Sequence, residues 1–210
     1  METIVKGAKP LENKRKITKT QYITRIAILG AIAFVLMYIE LPLPIIPPWL
    51  KLDFSEIPAL LGAFALGPVA GIIIEGIKCL LFLAIRGSMS GGVGELANFL
   101  IGIALVVVAG IIYKKKHNFK FAIIGTIAGI LAAVAAAGIL NYYVLIPFYA
   151  STGLMPMDAI IAACSAINPA ADSLMGYVLI FAMPFTAVKL AIDAVIVFVL
   201  YPKMSRLLHN

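Results

Sequence analysis

Long apolar runs, separated by short breaks of charge, proline and glycine, constrain this chain more than any other feature. Tyr22 to Ile39, Val69 to Ile85, Glu95 to Tyr113, Phe119 to Tyr149 and Phe185 to Tyr201 are each near or above the length needed to cross about 30 Å of hydrocarbon. In lipid every backbone N–H and C=O must be satisfied inside its own segment, so such runs fold as helices. Of the 210 residues 62% are hydrophobic and 13% charged, against roughly 45–50% and 25% in soluble domains. The sequence therefore predicts an all-α, polytopic membrane protein with space for about five to seven spans and no separate catalytic domain.

Between the first two runs, Pro42, Pro44, Pro47 and Pro48 end helix one. Asp53-Phe54-Ser55-Glu56 then has the spacing of a capping box, which predicts a second helix from about Ser55 to Leu66. A helix of that length rises only about 18 Å, too little to cross alone, so it is buried among others or met by a loop dipping into the membrane. Either arrangement implies a cavity. Gly67-Pro68 is a tight turn, and Gly87 to Gly94 is a glycine-rich loop without the lysine of a phosphate-binding motif. Gly125-x-x-x-Gly129 allows close helix packing in the fifth span. Ala150 to Met183, with Pro156, Pro169, Asp158 and Asp172, reads as a long loop with short helical pieces before a last span from Phe185.

The excess of 17 Lys+Arg over 10 Asp+Glu lies at run ends and is read as topology, not as a nucleic-acid surface. Lys14, Arg15, Lys16 and Lys19, the Lys114 to Lys120 turn, and Lys203 with Arg206 share one side when six spans place both termini in the cytoplasm. Residues 1–21 are then a basic cytoplasmic segment, not a secretory signal, and 22–210 the membrane domain. Cys79 and Cys164 have no CxxC spacing and are expected to be inert.

Ionisable groups inside spans need partners or a function. Glu75/Lys78 and Lys189/Asp193 are three and four residues apart, so each pair is expected to meet on one helix face; a proton relay is the competing role. Asn141 and Lys189 both fall in the outer half by helix rise, where they converge with the loop after helix one. Asn141 has an interhelical hydrogen bond as its alternative, Lys189 snorkelling to headgroups, Trp49 an interfacial belt position or a stacking surface, and Asp53 a helix cap. His117 and His209 are peripheral, and no nucleophile with an adjacent base or metal-binding spacing occurs, so catalysis is not expected.

Several short motifs occur together: Trp49-Leu50-Lys51-Leu52-Asp53-Phe54-Ser55-Glu56-Ile57-Pro58, Gly67-Pro68, Glu75-Gly76-x-Lys78, Gly94-Glu95-Leu96-Ala97-Asn98-Phe99, Asn141-Tyr142-Tyr143 and Pro184-Phe185-Thr186-x-x-Lys189. In this combination, over about residues 20 to 208, the chain resembles the riboflavin-specific S-components of energy-coupling-factor (ECF) transporters. The resemblance implies a six-helix subunit of a prokaryotic cell (inner) membrane that holds riboflavin in an outward-facing pocket under loop one. It implies as partners a transmembrane coupling subunit and two cytoplasmic ATPases, with riboflavin as transported ligand and no cofactor. Carried over by motif, the flavin contacts fall on the Leu52 backbone, Asp53, Asn141, Thr186 and Lys189. The family's Glu and Asn are replaced here by Asp53 and Thr186. Ala27-x-x-x-Ala31 matches the family's docking surface for the coupling subunit, with packing inside the bundle as its alternative. Competing functions are a proton-coupled transporter using Glu75 or Asp193, a membrane enzyme acting on a lipid, and an S-component for another vitamin such as thiamin.

Overall fold

The computed structural model describes residues 18–88 and 90–208. Lys14, Arg15, Lys16 and His209 lie outside them. Helix α1 (Lys19–Tyr38) opens with a capping box in which Thr18 Oγ1 accepts the Gln21 N–H. The proline-rich connection folds back on itself through one short antiparallel pairing of β1 (Leu41–Pro42) with β2 (Lys51–Leu52), the one departure from all-helix among the described residues. Helices α2 (Glu56–Leu66), α3 (Pro68–Arg86) and α4 (Val93–Lys115) follow, then α5 (Phe119–Leu140), which continues through Asn141–Leu145 into α6 (Ile146–Thr152). After α7 (Met157–Ile167), α8 (Leu174–Tyr177) runs through Val178–Ala182 into α9 (Met183–Leu208).

Among the described residues, five helical stretches are long and apolar enough to cross a membrane, the last of them Leu174–Tyr201. The expected sixth, α2, has 11 residues and rises about 16 Å, so it does not cross alone. The last span starts earlier than the expected Phe185, at Leu174. Helix instead passes Pro184, and most of the stretch from Ala150 to Met183 is helical. Val178–Ala182 winds as a π-helical turn just before Pro184, and Asn141–Leu145 does the same just before Pro147. A proline lacks the N–H for the usual bond and its ring presses on the carbonyl four residues back; a widened turn accommodates both.

Successive helices run antiparallel, so α1, α3 and α5–α6 end, and α4 and α8–α9 begin, at one end of the bundle, termed the mouth. Leu60, Leu61 and Phe64 of α2 pack with Leu105, Ala109 and Tyr113 of α4 and Leu190 and Val197 of α9. Ala59 and Ala63 pack on Ala70 and Ile74 of α3. Gly125 and Gly129 let α5 lie directly on α4: a Cβ would stand 2.7 Å from the Ala109 carbonyl oxygen at the first and 2.6 Å from that of Leu105 at the second. Leu80, Leu131 and Val199 stay more than 60% exposed on the outer faces, where hydrocarbon replaces water as solvent.

Candidate functional site

Because α2 starts deep and is short, it leaves open the space between its first turn and the mouth. That space is a cavity of about 580 Å³, a size suited to a small organic ligand. Its walls combine Trp49, Leu50, Lys51 and Asp53 of the α1–α2 connection with Glu56, Phe82, Arg86, Glu95 and Asn98. From the second half of the chain come Asn141, Tyr149, Tyr177, Phe185, Thr186 and Lys189.

The floor is ionic. Lys189 Nζ lies 2.6 Å from Asp53 Oδ2. Asp53 Oδ1 accepts from the Ser55 N–H at 3.0 Å and the Ser55 hydroxyl at 2.6 Å. Ser55 Oγ in turn accepts from Lys78 Nζ at 3.1 Å, and Lys78 also meets Glu56 at 2.5 Å and Glu75 at 2.7 Å. All of these side chains are buried. Asp53 lies in the connection, outside the spanning helices; burial pushes its carboxyl up, but the ammonium groups of Lys189 and Lys78 outweigh this and hold it below the usual carboxylate value.

Two sequence expectations fail here. The capping box at Asp53-x-x-Glu56 does not form: the N-cap is Ser55, without a side-chain cap bond, and Glu56 turns to Lys78. The Glu75/Lys78 pair does form, but Lys189 does not pair with Asp193, whose two buried carboxylate oxygens have no hydrogen-bond partner among the described residues.

On one wall, Trp49 Nε1 donates to the Tyr177 hydroxyl at 3.2 Å, and that hydroxyl donates to Asn141 Oδ1 at 3.0 Å. Asn141 Nδ2 donates to the Ala137 carbonyl at 2.8 Å. The interhelical hydrogen bond considered for Asn141 is therefore present, and Trp49 is tied to the wall rather than free in an interfacial belt. Thr186 Oγ1 donates to the Ala182 carbonyl at 2.8 Å, which leaves its lone pairs available to a donor. At the mouth, Glu40 bridges Lys51 and Arg86, each at 2.7 Å, and Glu95 accepts from Ser88 and Ser90 at 2.7 and 3.1 Å.

The fold thus brings Asp53, Asn141, Thr186 and Lys189 to one cavity, although they come from three separate parts of the chain. Leu52, expected to contribute its backbone, is not among the lining residues, though both neighbours, Lys51 and Asp53, are. Ala27 and Ala31 are exposed on α1 and do not pack inside the bundle. Sequence reasoning missed Tyr177, Glu40 and the mouth role of Glu95. Tyr177 was hidden because its segment read as loop; Pro184 within an otherwise apolar stretch was the available signal of a kinked helix.

Residues 21–201 match the family described as ECF transporter, substrate-specific component. The chain belongs to that family. This S component is 38% identical, over 95% of its length and 94% of the relative's, to the riboflavin transporter RibU of Staphylococcus aureus. It is 37% identical to the riboflavin transporter FmnP of Bacillus subtilis, over 62% of this chain and 70% of that one. Its fold superposes with a TM-score of 0.72 and 34% identity on a solved S component of a bacterial ECF transporter, covering 92% of this S component and all of that chain.

Proposed function

We propose that this S component binds riboflavin in the cavity and delivers it for uptake by an ECF transporter in a prokaryotic cell membrane. The observation that carries this reading is the similarity to riboflavin transporter RibU along nearly the whole length of both chains. The cavity chemistry agrees with it. Riboflavin has a flat ring with polar edges and a neutral polyhydroxyl tail, which calls for apolar walls with a few placed donors and acceptors. Lys189 only donates, ionised Asp53 only accepts, and Asn141 does both.

In this reading the ring edges meet Asp53, Asn141, Thr186, Lys189 and the Leu52 backbone. Riboflavin is cargo, so no cofactor takes part, and the chain is a binding subunit rather than an enzyme. Energy comes from two cytoplasmic ATPases through a coupling subunit that docks on the Ala27/Ala31 face of α1, with both termini of this chain on the cytoplasmic side. Exposure of both alanines supports a docking role over packing within the bundle.

The test is direct. Purified protein titrated with riboflavin, without ATP, should quench flavin or Trp49 fluorescence to saturation at one ligand per chain. A folded sample that leaves flavin fluorescence unchanged would refute the assignment, and saturation by thiamin instead would redirect it.

A further inference from the structure

The polarity of the Trp49, Tyr177 and Asn141 chain is settled by its first member. An indole N–H can only donate. The Tyr177 oxygen therefore accepts from Trp49, and its own proton points to Asn141 at 3.0 Å, so the amide must turn its oxygen to Tyr177. At the far end the Ala137 carbonyl can only accept, which requires the amide nitrogen on that side. Both ends impose the same orientation. One Nδ2 hydrogen and one Oδ1 lone pair of Asn141 remain for whatever enters the cavity.

From this geometry we infer that Tyr177 is a positioning residue: tied to loop one through Trp49, it fixes the Asn141 amide in the orientation that reads the ligand. The inference rests on the proposed riboflavin contact of Asn141. Tyr177 is 1% exposed and anchored in the cluster of Ile146, Ile160, Cys164 and Val178, so its hydroxyl is held by rigid surroundings. Without that proton the amide keeps a single anchor, the Ala137 carbonyl, and the flipped orientation, which offers the ligand the wrong edge, loses its penalty at the Tyr177 end. Both partners stand at π-helical turns: Asn141 opens Asn141–Leu145, and Tyr177 immediately precedes Val178–Ala182.

A double-mutant cycle in detergent tests the inference. Tyr177→Phe, nearly isosteric, should weaken riboflavin binding by about 5- to 30-fold, the effect of losing one buried hydrogen bond. In an Asn141→Ala background the same change should cost almost nothing, because Tyr177 acts through the amide. Equal losses in both backgrounds, or no loss in either, would overturn the inference. A second readout needs no ligand. Trp49 is the single tryptophan, so its indole N–H gives one resonance. Tyr177→Phe should shift that resonance and speed its exchange with solvent. An unchanged resonance would remove the link itself, whereas failure of the unmodified protein to bind riboflavin, with the resonance shifted as expected, would refute the ligand assignment and, with it, the reading role of the amide.

Discussion

Lys189 has two carboxylates within reach and takes the distant one in sequence. Asp193 is one helical turn away on α9, yet the ammonium goes to Asp53, 136 residues back. The reason is the direction of helical side chains, which lean toward the N-terminus of their own helix. Lys78 leans back onto Glu75, three residues before it, and the pair forms. Lys189 leans away from Asp193, four residues after it, and toward the cavity. An acid preceding a base pairs better than the reverse. This separates two acids that look equivalent in sequence. Lys189→Ala and Asn141→Ala should each weaken riboflavin binding by about 5- to 150-fold, the range for breaking a buried polar contact. Glu75→Ala should instead lower the unfolding temperature with affinity nearly unchanged, since Lys78 keeps Glu56 but loses its second counter-charge. Fluorescence titration and thermal unfolding of the three variants check this, and a Glu75→Ala chain that binds worst of the three would favour a relay.

At the scale of elements, the decisive object is α2. Its shortness, 11 residues, leaves Asp53 and Glu56 lining the cavity, with Ser55 behind them bonded to Asp53. The scaffold around it depends on close approach of α4 and α5. At Gly129 an added Cβ would meet the Leu105 carbonyl oxygen at 2.6 Å, a backbone atom that cannot step aside. At Gly76 the nearest atom is Phe99 Cε2 at 3.6 Å, an ordinary contact. Gly129→Ala should therefore destabilise the protein by about 1–3 kcal/mol through overpacking, while Gly76→Ala is tolerated. Thermal unfolding in detergent measures both, and equal behaviour would show that α4 and α5 can separate without loss.

At the scale of the whole molecule, binding and coupling occupy different surfaces. The cavity opens at the mouth, whereas Ala27 and Ala31 lie about 10–17 Å along α1 from its mouth end, exposed and outside the cavity wall. Ala27→Trp and Ala31→Trp should leave riboflavin titration intact and abolish uptake in cells that also supply the coupling subunit and ATPases, because a bulky ring holds a neighbouring helix away. Loss of binding together with uptake would show that the bulky ring disturbs the bundle as a whole, and would remove the case for a separate docking face. Persistence of both would move the docking face elsewhere.

Much of this was legible in the chain itself. Apolar runs dictate helices in a membrane, since nothing else there satisfies the backbone, and the shortness of α2 already implied a cavity. Asp53, Asn141, Thr186 and Lys189 were recognisable because they stand in motifs local in sequence. Periodicity and spacing, however, describe one helix at a time. Which partner Lys189 takes, how Tyr177 orients Asn141, and how helix continues past Pro184 all depend on contacts between residues far apart in sequence. Side-chain direction, a donor-only indole and a widened turn decide them, and each acts only once the helices are packed.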